Sequence, residues 1–522
     1  MRRTTSGSRA SPRSRAWRSV WCWIWRLRMV PQMPATTQMA TNPQNARAAR
    51  PAPGLISCIV SSMCVVSTER SLVSETVARP DPDAGARYFF DPTASATAAP
   101  YTRPAFPAAE TGRISTAMQP TLPADNNSNG TGDGTARGAW DWAVRLSLFY
   151  AAIFAVAGVL MPWWPVWLKH RGLTAEEIGI VLGIGFWVKP LANPLGTRWA
   201  DALGERRRPL VLLLFAAAGA YALFWFGGPF WSFILLAILA SGVYSPVLPL
   251  GDNLTMTAAA QRDLDYGRMR LWGSVTFIGA VYGAGWLLKG RDPDVILWLV
   301  VGGFVTTALV CTLLPDIRYP KPEKGQKPRP LALLRHPVFL LFLATAGLNT
   351  AAHAVLYGFG TLAWQSAGLS EVQIGWLWAE GVISEIILFA FSRRIVAAIG
   401  PNWLMIIGCS AGIVRWTALA FIDSFEGLVV LQVLHGMTFG ATHLGAMHFI
   451  QRVAPPGQSA SAQGLFAAFG MGLFMGVGAM VAGRLYAVQG AGAYLVMTAL
   501  SVLATLAALV LMRRHDGRPL SV

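Results

Sequence analysis

Twelve apolar runs of membrane-spanning length divide everything after Val144. They lie at about residues 144–168, 177–200, 209–227, 231–254, 271–289 and 294–315, then at about 336–363, 372–391, 403–422, 426–449, 460–486 and 490–512. A hydrocarbon core ~30 Å thick needs about 20 residues of helix to cross it. Backbone polar groups in lipid must be satisfied within the spanning structure, so runs of this kind fold as helices. Only 13% of the 522 residues are charged, too few to cover a soluble chain of this size. The expected fold class is therefore an all-α membrane protein with twelve transmembrane helices.

The runs fall into two sets of six. A basic, Pro-containing stretch, residues 316–335, separates them, and the sets span 172 and 177 residues, which suggests a duplicated unit. This predicts a six-helix half over 140–315, a central loop over 316–335, a second six-helix half over 336–514 and a short tail over 515–522. Orientation follows from Lys and Arg. With the N-terminus inside, the inner loops and tail after residue 200 hold 18 of them and the outer loops of the whole bundle hold 5. The positive-inside rule then makes both termini and the central loop cytoplasmic. The net charge of +17 is accounted for by these loops and by an Arg-rich first quarter, so it implies no nucleic-acid partner.

Residues 1–139 differ from the rest. They carry 16 Arg, no Lys and 8 acidic residues, with apolar stretches too short to span. A cytoplasmic tail, a targeting sequence and translated sequence upstream of the true start all fit. We expect a disordered or non-native extension, with the native start at Met118 or a Met near it.

Several strings carry a family resemblance. The loop after the second span reads Gly196-Thr-Arg-Trp-Ala-Asp201-Ala-Leu-Gly204-Glu-Arg206-Arg207-Arg208. It resembles the loop 2–3 motif of the major facilitator superfamily, which implies a conformational latch at Gly196, Asp201, Gly204, Arg206 and Arg207. Within that superfamily, Tyr266–Ser274, Leu356–Ser370, Ile374–Ile386 and Leu431–Ile450 resemble the phenylpropionate permease group, itself similar to the lactose-permease and nucleoside–proton symporter groups. The resemblance covers roughly residues 144–512. It implies a multi-pass protein of the bacterial inner membrane that works by alternating access, functional as a monomer. Its energy source would be the proton gradient, with no cofactor and no ATP.

Charges within apolar runs mark the candidate site, since each costs ~2.5–3.5 kcal/mol at the bilayer centre and needs a partner or a wet cavity. Lys189 lies mid-way along the second span, Glu380 and Glu385 in the eighth, Arg415 in the ninth, His435 and His443 in the tenth. Asp252, Arg268 and Arg270 lie near the inner interface, where snorkelling or capping explains them as well as function does. His353 and His448 read as satisfied core residues. Glu380 and Glu385 project ~140° apart on one helix. Depth counted from the inner ends sets Glu380 level with Arg415, so that pair is expected. These residue types resemble the proton-coupling cluster of lactose permease, which implies Glu380, then Glu385, then His435, with His443 beside them, as proton carriers. An anionic aryl substrate would meet Lys189 and Arg415, with Trp187 and Trp376 as aromatic wall and Asn349 as a polar contact. Trp163, Trp164, Phe186 and Trp364 are further candidates for that wall, with interfacial belt the alternative for Trp163, Trp164 and Trp364.

The leading expectation is a proton-coupled symporter importing a small aromatic carboxylate of the 3-phenylpropionate kind. A sugar such as lactose, or a nucleoside, is the alternative substrate, and a non-transporting membrane sensor is the alternative from another class. No enzyme is expected: the Gly-x-Ser-x-Gly string at Gly408–Gly412 lies inside an apolar run, His-Glu-x-x-His does not appear, and there is no Walker loop. Five scattered Cys offer neither a disulfide framework nor a metal site.

Overall fold

Capping residues set where the helices start. Thr174 Oγ1 accepts the Glu177 amide at 3.3 Å while Glu177 Oε2 accepts the Thr174 amide at 2.8 Å. This reciprocal box satisfies helix-terminal donors that have no partner inside the helix. Ser370 and Gln373 repeat it, at 3.4 and 3.0 Å. The two boxes lie in matching strings, Gly172-Leu-Thr-Ala-Glu-Glu-Ile-Gly179 and Gly368-Leu-Ser-Glu-Val-Gln-Ile-Gly375. Gly172 and Gly368 turn the chain into them at φ +86° and +85°, a conformation in which a Cβ is strained.

The computed structural model describes residues 133–319, 330–455, 458–515 and 518–520. The expectation for residues 1–139 lies outside these except for the beginning of the first helix, and residues 320–329 of the central loop lie outside them too. Before the central loop the helices are α1 (Asp133–His170), α2 (Ala175–Leu203), α3 (Arg207–Ala222), α4 (Phe230–Tyr244), α5 (Val247–Arg262), α6 (Tyr266–Leu288) and α7 (Asp294–Thr312). After it come α8 (Pro330–Leu333), α9 (Pro337–Ala351), α10 (Ala354–Ser366), α11 (Glu371–Ala390), α12 (Ser392–Ile399), α13 (Pro401–Leu419) and α14 (Phe425–Val433). A π-helical segment, Gly436–Ala441, leads into α15 (Thr442–Val453). The chain ends with α16 (Ser459–Leu465), a second π segment (Phe466–Leu473), α17 (Phe474–Gln489) and α18 (Tyr494–Arg514). Among the described residues the only β pairing is an isolated bridge between Glu205 and Arg318.

The described residues are helical apart from their loops and this one bridge. Among the described residues ten helical segments are long and apolar enough to cross a membrane, or eleven when α12 and α13, bent by 103°, are taken as one. The last segment, Ser459–Arg514, has 56 residues. That is ~84 Å by helical rise, far more than one bilayer, and the chain turns within it at Gly490, φ +55°.

Helix α1 packs against α6 and α7, α3 against α7, and α2 against α4; beyond the central loop α13 packs against α18 and α15, and α9 against α18. The two most extensive seams between the regions on either side of the loop are α2 with α17 and α6 with α11. Both seams have bare backbone where the helices come closest. A Cβ at Gly179 would lie 2.6 Å from the Ala479 carbonyl oxygen, and one at Gly285 would run into the carbonyl of Glu371. Trp163, Trp164 and Trp364 are 0%, 5% and 3% exposed, so they are core and not interfacial belt. Trp164 stacks on Trp167 and meets Tyr221 and Phe224 edge-on, an aromatic cluster that fills the space between α1 and α3.

Candidate functional site

A buried guanidinium organises the second region. Arg415, near the end of α13, is 0% exposed, and a charge taken fully out of water needs its donors engaged. Nη1 donates to His435 Nδ1 and to Thr438 Oγ1, each at 2.9 Å, and Nη2 donates to Gln432 Oε1. Gln432 is held in turn by its Nε2, which donates to the Leu377 carbonyl at 2.9 Å. Arg offers no acceptor, so His435 Nδ1 must accept. The proton of the neutral ring then sits on Nε2, which donates to Glu385 Oε1 at 2.9 Å. Arg415, His435 and Glu385 thus form one hydrogen-bonded relay through α13, the start of the π segment and α11.

The π segment makes this geometry. One extra residue per turn releases backbone groups from the helical ladder. The Thr438 carbonyl accepts from Asn349 Nδ2 at 3.0 Å, and the Gly436 amide donates to Ser384 Oγ at 2.9 Å. Close approach of α11 depends on the small residue there, since a Cβ at Gly436 would lie 2.7 Å from the Ser384 carbonyl oxygen. His353, at the break between α9 and α10, donates from Nδ1 to the Asn349 carbonyl at 2.9 Å and accepts from Thr438 Oγ1 at 3.2 Å. It is the satisfied core histidine that its sequence setting suggests. The rings of His435, Phe439 and His443 stack nearly parallel, 5.8 and 5.7 Å between centroids. His443 also lies within electrostatic reach of Glu385.

The first region holds a different cluster. Asp252 Oδ1 accepts from Tyr150 Oη at 2.6 Å and from Tyr266 Oη at 3.1 Å. Arg270, one turn beyond Tyr266, lies 4.1 Å above the Phe154 ring and 5.2 Å from that of Tyr150. Lys189 Nζ lies 4.3 Å above Phe186. Among the described residues neither Lys189 nor Arg270 makes an ion pair.

The loop after α2 closes on itself and on the start of the central loop. Asp201 pairs with Arg206, whose Nε donates to Asn253 Oδ1 at 3.0 Å and whose guanidinium covers the Tyr319 ring at 4.3 Å. Glu205, 3% exposed, pairs with Arg318 at 3.3 Å and Arg208 at 3.5 Å. The Tyr319 amide donates to the Gly204 carbonyl at 2.9 Å. A third tie, at another loop, joins His170 to Asp292 at 3.4 Å, while Trp167 Nε1 donates to Asp294 at 2.9 Å.

With these contacts in place, similarity to known proteins can be weighed. Residues 143–496 match the MFS_1 like family. The chain belongs to this family of major facilitator transporters. A probable 3-phenylpropionic acid transporter of Escherichia coli (strain K12) is 35% identical over 364 residues, 67% of this chain and 93% of that one. The maltose permease of Geobacillus stearothermophilus is 29% identical over 395 residues, 72% and 97% of the two chains. The crystal structure of nucleoside transporter NupG superposes with a TM-score of 0.65 at 18% identity, covering 71% of this chain and 99% of that one, which bears on the fold alone.

Within this major facilitator chain the sequence candidates separate. The relay brings together Glu385, His435 and Arg415, with His443 and Asn349 at its edge. It does not include Glu380, whose Oε2 is buried without a hydrogen-bond partner. The expected Glu380–Arg415 pair is therefore replaced by an indirect Glu385–Arg415 link. Equal depth does not fix azimuth: the ~140° between the two carboxylates turns only one of them toward His435. Trp187 Nε1 donates to the Leu473 carbonyl at 3.3 Å, placing that ring in the α2–α17 seam, and Trp376 is 45% exposed. Of the latch residues, Asp201, Gly204 and Arg206 meet. Gly196 instead faces Pro246, where a Cβ would overlap the ring, and Arg207 makes no ion pair among the described residues. Tyr150, Phe154 and Tyr266 were missed by the sequence reading. The i, i+4 spacing of Tyr266 and Arg270 on one helix face was the available signal.

Proposed function

We propose that this transporter is a proton-coupled symporter that imports a small aromatic carboxylate across the bacterial inner membrane by alternating access. In this reading twelve spans form two six-helix halves, both termini are cytoplasmic, and the monomer runs on the proton gradient without ATP or cofactor. The observation that carries it is the buried relay from Arg415 through neutral His435 to Glu385.

The relay ties proton to substrate by charge. With Glu385 ionised, its charge offsets that of Arg415 and the relay is neutral. A proton on Glu385 leaves the guanidinium charge uncompensated in a low-dielectric interior, and an anionic substrate in the cavity restores neutrality. The empty, deprotonated carrier and the doubly loaded carrier are thus favoured over either half-loaded form, which is the thermodynamic content of symport. Arg415 is enclosed by its own partners, so direct contact with the carboxylate falls to Lys189 and Arg270. Each of these cations is stacked on a phenyl ring, a setting that suits an aryl acid. The glycine-lined seams at Gly179 and Gly285 lie at one end of α2, α6, α11 and α17, and we read them as the closed outer gate.

A sugar or nucleoside is less well served. Asn253 and Asn349, the amides best suited to a neutral solute, are bound to Arg206 and to the Thr438 carbonyl. Family membership favours transport over a non-transporting sensor.

The test is substrate-driven proton flux in proteoliposomes holding the full chain, with 3-phenylpropionate, lactose and a nucleoside as solutes. Glu385→Gln is expected to abolish uphill uptake of the acid while retaining exchange, and Glu380→Gln to leave uphill uptake intact. The reverse pattern would overturn the assignment of the proton site to Glu385.

A further inference from the structure

A cleft of about 500 Å³ opens between α12 and the end of α15, and none of the features above uses it. Arg393, Val396 and Ile399 line it from α12, and His448 and Arg452 from α15. A second hollow of about 250 Å³ shares Ile399 and Arg452 and extends to Trp403, which is 50% exposed. Neither lining contains a carboxylate. Among the described residues Arg393 and Arg452 form no ion pair.

The surrounding fold explains why the cleft is there. Gly400, φ +80°, and Pro401 bend the chain by 103° between α12 and α13. A short helix at nearly a right angle to a spanning helix runs along the membrane surface, and α12 has the sequence for it: Arg393 and Arg394 beside Ile395, Val396 and Ile399. The rule that basic residues gather on one membrane face accounts for the presence of these Arg residues. It does not account for two cations from separate helices converging on one cavity without a counter-charge, above an apolar floor and beside a half-exposed Trp.

We propose that this cleft is a binding site for the phosphate headgroup of an anionic phospholipid from the adjoining leaflet. The guanidinium groups of Arg393 and Arg452 donate to the phosphate oxygens, as planar forks suit a phosphate. Val396, Ile399 and Trp403 carry the glycerol and the upper acyl chain, the arrangement in which basic pockets between spanning helices hold anionic lipids. A lipid seated there would bridge α12 to the inner end of α15, the helix that continues from the His435 relay.

The test uses the full chain purified in a neutral detergent, with mass spectrometry of the intact protein to count bound lipid. Phosphatidylglycerol is expected to be retained at least roughly tenfold more tightly than phosphatidylcholine, and Arg393→Gln or Arg452→Gln to remove roughly tenfold of that affinity. Arg452→Lys, which keeps the charge, should retain most of it. Arg394→Gln lowers the surface charge equally but lines neither hollow, and should leave retention unchanged. Thermal melting of each variant establishes that it is folded. Equal retention of the two lipids, or an Arg394→Gln loss as large as that of Arg452→Gln, would overturn the site. Displacement of phosphatidylglycerol by an equal concentration of inorganic phosphate would assign the cleft to free phosphate and overturn the lipid.

Discussion

Residues 172–179 and 368–375 start α2 and α11 with the same Gly-Leu-Thr/Ser string, the same capping box and the same terminal glycine. Each of those helices then crosses to the other region through a seam of bare backbone, α2 to α17 and α11 to α6. Beyond this shared scaffold the two regions part. The second encloses its cation: Arg415 is sealed by His435, Thr438 and Gln432 and linked to Glu385. The first leaves Lys189 and Arg270 over aromatic rings with no carboxylate partner among the described residues. A buried charge whose Nη1 and Nη2 donors are engaged by its own neighbours is an internal device, whereas a charge without a counter-ion is open to a ligand. Under the function we propose, this contrast places proton chemistry in the region after the central loop and substrate chemistry in the region before it.

The largest effect should come from removing the enclosed cation. Arg415→Met strands the acceptors on His435, Gln432 and Thr438 and leaves the Glu385 charge without its counter-ion, a loss of about 3–5 kcal/mol for a broken buried pair. Arg270→Met gives up only a cation–π contact, about 0.5–1 kcal/mol. Thermal melting of the two purified variants against the parent measures the difference. Equal destabilisation would break the comparison by showing that Arg270 is as much a structural part as Arg415.

Next in size is the effect on substrate. Lys189→Gln and Arg270→Gln should each raise the half-saturation concentration for 3-phenylpropionate roughly tenfold, the value of one charge-assisted hydrogen bond. Uptake of the corresponding alcohol should change little. Radiolabelled uptake at a series of concentrations reads both, and an equal rise for acid and alcohol would remove the carboxylate role from these residues.

How much of this was legible depends on the kind of interaction. The apolar runs reported the helices because lipid imposes length and composition on every span. Charges in those runs stood out for the same reason, and Glu385, His435 and Arg415, which the structure joins in one hydrogen-bonded cluster, were among them. Their partnership was not legible, because it depends on rotation about helix axes and on the π segment at Gly436–Ala441, which no apolar periodicity announces. Tyr150 and Tyr266 stayed hidden because an aromatic hydroxyl costs little in a span and raises no alarm there. Trp163, Trp164 and Trp364 could be read either as substrate wall or as interfacial belt because composition alone cannot distinguish these from the packed aromatic core in which they lie. The repeated Gly-Leu-Thr/Ser string, by contrast, stood in plain view and directly marks the shared scaffold.

That scaffold gives the smallest and most symmetrical expectation. Thr174→Ala and Ser370→Ala each delete the acceptor for one orphan amide at a helix start, a change of about 1 kcal/mol. Both caps lie beside a seam: a Cβ at Gly483 would meet the Ala175 carbonyl, and one at Gly285 the Glu371 carbonyl. Loosening either helix start therefore loosens one seam. If the two starts are equivalent parts of one duplicated design, the two variants should lower the melting temperature by the same amount, and the double variant by the sum, since the caps share no partner. A loss confined to Ser370→Ala would mean that stability, like the hydrogen-bonded relay, is concentrated after the central loop, and that the matching strings preserve geometry without sharing load.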